Sequence, residues 1–170
     1  MVEYSDFECS FCGRFARETM PSLVKRYVDT GQLLIVFRHL PIEGIHRFAL
    51  RAAEAANCAG TAGRFWEMHD ALFLNHTRLD EGSLREHAGT VGLDPASFGK
   101  CLSEADGSKV QQDVAEAKAL GIKVTPTFLI GLKVSEHEMK AALRLDGARP
   151  LAEFVEALDR ATRPASGRQP

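Results

Sequence analysis

Asp6-Phe7-Glu8-Cys9-Ser10-Phe11-Cys12 is the stretch around which the chain is organised. Upstream of it, Val2-Glu3-Tyr4 is rich in residues that favour strands. Downstream, Phe15, Met20, Leu23, Val24, Tyr27 and Val28 recur at helical spacing. The first cysteine therefore falls where a strand hands over to a helix N-terminus. Free backbone N–H groups and the positive end of the helix dipole meet there, and both favour a thiolate over a thiol. Cys9 and Cys12 stand one helical turn apart, so they can cycle between dithiol and disulfide. The same pair would also suit half of a zinc site, or two buried apolar side chains. The strand–CxxC–helix context favours the redox reading.

The chain has 170 residues, enough for one domain or one domain with an insertion. Its 45% hydrophobic and 26% charged residues are those of a globular protein. A net charge of −2 leaves no electrostatic footprint for a nucleic acid. No apolar run is long enough to span a membrane. Met1 is followed at once by strand-like residues rather than by a basic and then apolar leader. Either the protein is cytoplasmic, or an export signal and a first strand are missing from this sequence. Four cysteines permit two disulfides, in any of three pairings.

Residues 2–7 read as a strand aimed at the motif. A helix is expected over 13–30, kinked at Pro21 and ended by Gly31. Leu33-Leu34-Ile35-Val36-Phe37 has the continuous apolar pattern of a strand buried on both faces, parallel to the first through a right-handed crossover. After a turn at 41–44 the composition changes. Helices are expected over 45–59, 61–75, 83–91, 95–102 and 108–120, with Asp94-Pro95 an N-cap and first-turn proline. Strand character returns at 127–130, with 142–145 a plausible antiparallel partner across a long polar connection, 131–140. A last amphipathic helix covers 150–161.

The order β–α–β, helical block, β–β–α, joined to CxxC at the first helix, resembles the DsbA-like thiol–disulfide oxidoreductases of the thioredoxin superfamily. The residues that carry the likeness are Val2 to Cys12, Gly121-Ile122-Lys123-Val124-Thr125-Pro126-Thr127-Phe128, and Arg64-Phe65-Trp66-Glu67-Met68-His69-Asp70 in the block. The resemblance implies an α/β thioredoxin fold made of residues 1–42 and 121–162, an all-helical insertion over 43–120 and a flexible tail over 163–170. Members of the family usually carry one more strand before the one at Val2, so the first strand is missing or truncated here. Val2 to Phe7 should then lie inside the sheet and leave one edge open, for a monomer or an edge-strand dimer. Members are also usually exported, which implies a periplasmic or extracytoplasmic protein, against the cytoplasmic alternative.

Cys9, nearer the helix start and more exposed, is the candidate nucleophile, and Cys12 the resolving thiol. Ser10 and Phe11 form the dipeptide that tunes them. Phe11 stands where a histidine would help to hold the thiolate in the strongest oxidants of the family, so an intermediate potential is expected. Thr125-Pro126 looks like the family's cis-proline loop, which faces the CxxC and offers backbone to an extended substrate. From the residues alone, an ordinary trans-proline at a strand start remains open. Cys58 and Cys101 are either two buried thiols or a structural disulfide across the helical block. Histidines 39, 46, 69, 76, 87 and 137 show no metal-ligand spacing and read as surface or satisfied core groups. The expected chemistry is dithiol–disulfide exchange with reduced or unfolded proteins, needing no cofactor beyond the Cys9–Cys12 pair and no metal, with a redox partner to reset it. An oxidant is the first reading. Isomerase or reductase activity is the alternative, and a metal or iron–sulfur module on the same cysteines is another.

Overall fold

Four short strands form the sheet on which everything else packs. A computed structural model describes residues 1–135 and 138–162. The strands are β1 (Val2–Ser5), β2 (Val36–His39), β3 (Thr127–Lys133) and β4 (Met139–Asp146), in the spatial order β2-β1-β3-β4. β1 runs parallel to β2, with Val2 opposite Val36 and Ser5 opposite His39, and antiparallel to β3. It is therefore interior, as its position before the motif implies. Alternation along β1 sends Val2 and Tyr4 to one face and Glu3 and Ser5 to the other.

The face that carries Glu3 holds two apolar clusters. In one, Phe15, Phe128 and Phe154 meet with ring centroids 4.4–5.2 Å apart, joining the first helix, β3 and the last helix, α8 (Leu151–Thr162). In the other, Phe7 lies 5.2 Å from Phe37 and 4.8 Å from Phe73, and Cys9 and Cys12 belong to it. Truncating one such buried phenylalanine costs about 3–5 kcal/mol. Tyr4, Leu40, Ala117 and Ile122 form the smaller core on the opposite face.

The helix after the motif starts at Ser10 and runs to Val28, but it is not a regular α-helix. α1 (Ser10–Arg14) and α2 (Met20–Leu23) alternate with π-helical turns at Phe15–Thr19 and Val24–Val28. Pro21 has no N–H to give to the preceding turn. The chain widens just upstream, where the Met20 N–H reaches back five residues to the Phe15 carbonyl, and again where Asp29 N–H reaches Val24.

Between β2 and β3 lie α3 (Ala49–Thr61), α4 (Phe65–Leu74), α5 (Glu81–Thr90), α6 (Pro95–Glu104) and α7 (Ser108–Ala119). Ala52, Ala55, Ala56 and Ala59 of α3 are fully buried, and their small side chains let neighbouring helices approach closely. Asp80 and Asp94 cap α5 and α6 by accepting the Ser83 and Ser97 N–H groups at 3.2 and 2.8 Å. Cys58 of α3 is bonded to Cys101 of α6, which resolves the choice of pairing and leaves Cys9 and Cys12 free.

Some elements differ from the sequence expectation. The second strand is Val36–His39, not 33–37, and it is not buried on both faces: Val36 and Arg38 are half-buried and Leu34 is exposed. The ladder begins where Val36 N–H finds the Met1 carbonyl, and it continues into polar residues because Asp113 takes the outward His39 N–H at 2.9 Å. Arg38 also bonds Glu116, at 3.1 Å, so α7 covers part of this sheet edge. The segment 131–140 is mostly hairpin rather than connection. β3 and β4 pair out to Lys133 and Met139 with a bulge at Ile130/Gly131, where any side chain at Gly131 would collide with the Lys140 carbonyl. The tail at 163–170 and His137 lie outside the described residues.

Candidate active site

Cys9 is the N-cap of α1, with extended backbone at φ −76° and ψ 118°. Its carbonyl accepts the Gly13 N–H at 3.0 Å and its own N–H donates to Asp6 O at 3.1 Å, so the residue is held at the mouth of the helix. Both cysteines are buried, Cys9 at 6% exposure and Cys12 at 0%. The Cys9 thiol is pulled down from its ordinary value to about 5, most of all by the hydrogen bond from Cys12. The Thr125 side chain and the Cys12 and Phe11 N–H groups add to this, against the opposing effect of burial. Burial pushes the Cys12 thiol well up, and the neighbouring Cys9 sulfur pushes the same way. One sulfur is thus readily charged and the other is not, the asymmetry that thiol–disulfide exchange uses.

The Thr125–Pro126 peptide is cis, and its loop faces the motif. The Cys9 thiol lies 3.6 Å from the Thr125 carbonyl, to which it donates. Thr127 secures the loop: its one hydroxyl proton is shared between Val124 O, at 2.7 Å, and Asp146 Oδ1, at 3.0 Å. Gly147 N–H donates to Pro126 O at 2.7 Å. Phe11 and Val124 are exposed at 55% and 48%, giving apolar surface on both the motif and the loop. The Arg14 guanidinium lies over the Phe11 ring, 5.1 Å from its centroid. Ser10 is exposed at the helix start. The fold thus brings together Cys9, Cys12, Phe11, Thr125 and Pro126, and it keeps Cys58 and Cys101 apart in the insertion.

Two carboxylates of the motif fasten it to the start of the insertion. Asp6, 2% exposed, accepts Glu8 N–H at 2.8 Å, Ile42 N–H at 2.8 Å and His46 Nδ1 at 2.7 Å. Glu8 accepts Phe48 N–H at 2.7 Å. Met68, Leu72 and Phe73 of α4 share the core that holds both cysteines, so the helical block flanks the motif.

Glu3 and Ser5, under the motif, carry no signal of their own in the sequence, and His39 and His69 differ from the satisfied core or surface groups expected there. Glu3 is fully buried, with both carboxyl oxygens lacking a hydrogen-bond partner, and desolvation raises its pKa to about 8. The Ser5 hydroxyl stands between Glu3 and Cys12. It draws the pKa of each downward, although it closes no direct bond to either. His39 and His69 are buried but not fully satisfied, for His39 Nδ1 and His69 Nε2 have no partner. Only the position of Glu3, a charged residue at an inward step of a strand, could have pointed to it.

An open apolar groove of about 900 Å³ runs between residues 16–29 and α4, lined by Met20, Val24, Trp66 and Leu74 among others, and does not reach Cys9. Among the described residues, no cluster of three or more His, Cys, Asp or Glu side chains is placed to hold a metal ion, and no helix is long and apolar enough to cross a membrane.

A family model described as thioredoxin matches residues 1–148. The chain is 34% identical, over its whole length, to a Na(+)/H(+) antiporter NhaA 3 of Salinispora tropica, of which it covers 25%. It thus spans about a quarter of the length of that curated relative. Among solved structures, alpha-DsbA1 of Wolbachia pipientis superposes with a TM-score of 0.79 at 25% identity, over 94% of this chain and 83% of that one. A thioredoxin-like oxidoreductase from Silicibacter pomeroyi gives 0.76 at 28% identity, over 96% and 86%. With the sheet, the inserted helices, the CxxC at the first helix and the cis-proline opposite it, the chain belongs to the thioredoxin family as a DsbA-like member.

Proposed function

We propose that this chain catalyses thiol–disulfide exchange with protein cysteines through Cys9 and Cys12, and that it acts as an oxidant. The observation that carries the reading is the readily ionised Cys9 at the mouth of α1, 3.6 Å from the Thr125 carbonyl. In the oxidised form, a substrate thiolate attacks Cys9 Sγ. The Cys9–Cys12 bond breaks and Cys12 leaves as a thiolate. It takes a proton, by way of the Ser5 hydroxyl between them, from the Glu3 carboxyl, which burial keeps protonated at neutral pH. A second substrate thiolate then attacks the substrate sulfur of the mixed disulfide. The substrate disulfide forms, and Cys9 departs as a thiolate, a good leaving group because its pKa is low. Two electrons pass from the substrate dithiol to the enzyme, and a redox partner must remove them before the next cycle. Phe11, Val124 and the Thr125–Pro126 backbone are the surfaces offered to an extended, unfolded substrate.

An extracytoplasmic site of action fits the Cys58–Cys101 disulfide, since such bonds persist in oxidising compartments. The test is chemical trapping. Reduced Cys12→Ser protein mixed with a disulfide-bonded peptide accumulates a peptide adduct on Cys9, identified by mass spectrometry, while Cys9→Ser accumulates none. An adduct on Cys12 in the Cys9→Ser protein would sink the assignment. The oxidant role is read from the equilibrium with glutathione: a couple no more oxidising than glutathione makes the protein a reductase.

A further inference from the structure

The five buried side-chain atoms without a hydrogen-bond partner among the described residues are both oxygens of Glu3, the hydroxyl of Ser5, His39 Nδ1 and His69 Nε2. They are not scattered. Glu3 and Ser5 are alternate residues on one face of β1, and Ser5 pairs in register with His39 on β2, so their side chains are neighbours on that face. His39 and His69 meet the same ring, Phe37, edge to face at 5.2 and 5.3 Å, and each also lies 6.0 Å from Phe7.

The tautomers follow from the partners. His39 Nε2 faces the Asn57 side-chain oxygen at 3.2 Å, so it carries the proton and leaves Nδ1 as a bare acceptor. His69 Nδ1 donates to Asp70 at 2.8 Å, so Nε2 is likewise bare. Two acceptors cannot satisfy each other, and each needs a donor. Water is the small molecule that donates twice, and buried waters occupy such positions in proteins. At the far end of the row, the Asp70 side chain is 77% exposed while His69 is fully buried. The row therefore starts beside Cys12, through Ser5, and ends in solvent.

We infer that Ser5, His39 and His69 hold internal water in a proton path that connects Cys12 to Asp70 at the surface. The inference rests on the exchange reaction proposed above. When Cys12 attacks the Cys9 mixed disulfide, its S–H bond breaks, the Cys12–Cys9 bond forms and the partner sulfur leaves. The proton passes by way of the Ser5 hydroxyl and the held water to His69 Nε2, and His69 Nδ1 releases one to the Asp70 carboxylate. The imidazole is left in its other tautomer. In the opposite half-cycle Cys12 leaves as a thiolate and takes the Glu3 proton, and the path then carries a proton inward that restores the Glu3 carboxyl and the first tautomer. No co-reactant is needed. His39 is a positioning residue that accepts from the water. The charged or titratable groups around the path are Glu3 on β1, Cys9 and Cys12 at α1, Arg38 on β2, Asp70 on α4 and Lys109 on α7. Burial keeps both imidazoles neutral, as relays between water and carboxylate.

The test separates the two sulfurs. Reduced protein is mixed with a disulfide-bonded peptide in a quenched-flow instrument. A Cys12→Ser background gives the rate of Cys9 attack, and the Cys12-containing protein gives the rate of resolution. His69→Phe keeps an aromatic ring in the core, and Asp70→Asn, at the surface, poses no folding problem. The path predicts that each variant leaves Cys9 attack unchanged and slows resolution about tenfold at pH 7. The defect should shrink above pH 8, where an ionised Glu3 can take the proton itself. Unchanged resolution at pH 7 in Asp70→Asn and in folded His69→Phe overturns the path. So does an equal fall in both rates, which marks a packing role only. If wild-type Cys9 forms no mixed disulfide at all, the exchange reading itself has failed, and that result is visible without either variant.

Discussion

Replacing Glu3 by Gln should make the protein more stable at neutral pH, and the gain should depend on pH in a defined way. The Glu3 carboxyl has a pKa near 4.5 when free and about 8 in the folded chain, because it is wholly buried without a partner. A raised carboxyl pKa means that the unfolded chain loses its proton first. Stability is therefore fully present below pH 4.5 and is lost as the pH climbs towards 8. At pH 7 the unfolded form is already ionised over about 2.5 pH units, and at ~1.36 kcal/mol per unit the fold has given up about 3 kcal/mol. Glutamine has the same shape and no titration, so the difference between the two proteins isolates this term. Urea unfolding of both reduced proteins at pH 4, 7 and 8.5 should show curves that nearly coincide at pH 4. The variant should be ahead by about 3 kcal/mol at pH 7 and by more at 8.5. A gap that does not change with pH would refute the reasoning, because it would mean that Glu3 ionises normally inside the fold. The same substitution should slow the chemistry, since the proton donor to Cys12 is gone.

Iodoacetamide should label Cys9 of the reduced protein with a pH midpoint near 5, and Cys12 should stay unlabelled there; first labelling at Cys12 would reverse their roles. Cys58→Ser with Cys101→Ser should lower unfolding stability by about 2–4 kcal/mol, because the bond closes a loop with a sequence separation of 43, and denaturant curves of oxidised wild type and variant measure it. Asp6→Ala removes the acceptor of two N–H groups and of His46, which should cost about 2–3 kcal/mol in denaturant unfolding and lower exchange activity with it. His39 is held neutral by burial, with its pKa lowered to about 4. Its contribution should be intact above pH 6.5 and fall on acidification towards 4, so His39→Phe should flatten the acid limb of the stability profile.

What could be read in the sequence was what local pattern determines. Cys9 and Cys12 sit one turn apart in a seven-residue window, so their place at a helix mouth followed from neighbours alone. The capping of α6 by Asp94 was equally local. Thr125 and Pro126 became legible only through the resemblance, since their partner Cys9 is 116 residues away. Asp6 and Glu8 were quoted as part of the motif, yet the groups they hold, Ile42, His46 and Phe48, lie 36 to 40 residues on. No window contains both ends. The β3–β4 hairpin was underestimated because its turn end, Leu132, Lys133 and Lys140, is exposed and carries no apolar run, so pairing rather than burial extends the strands there. Glu3 was hidden by the brevity of β1. Four residues show a charged letter between two apolar ones, and only the sheet shows that its side faces Phe37 and Phe128.

The buried polar row and the low Cys9 pKa are two parts of one arrangement. On the proposed reading, a dithiol whose first sulfur ionises near pH 5 is a stable reduced form, and that stability would make its disulfide oxidising. That same stability leaves the second sulfur as the difficult one. Cys12 is sealed under α1 with a thiol pKa pushed well up, so every cycle must move a proton through a region without solvent. An apolar floor would be the stable solution for a sheet face otherwise filled by Phe7, Phe37 and Phe128. Glu3, Ser5, His39 and His69 stand there instead, each with an unmet hydrogen bond that costs stability. On the exchange reading, Glu3 supplies the proton that Cys12 needs, and the two histidines explain how Glu3 and Cys12 stay in equilibrium with the solvent. The α4 helix of the insertion then has a role besides cover. It contributes His69 and Asp70 to the path, so the helical block that shields the cysteines from water also provides the route by which their proton reaches it.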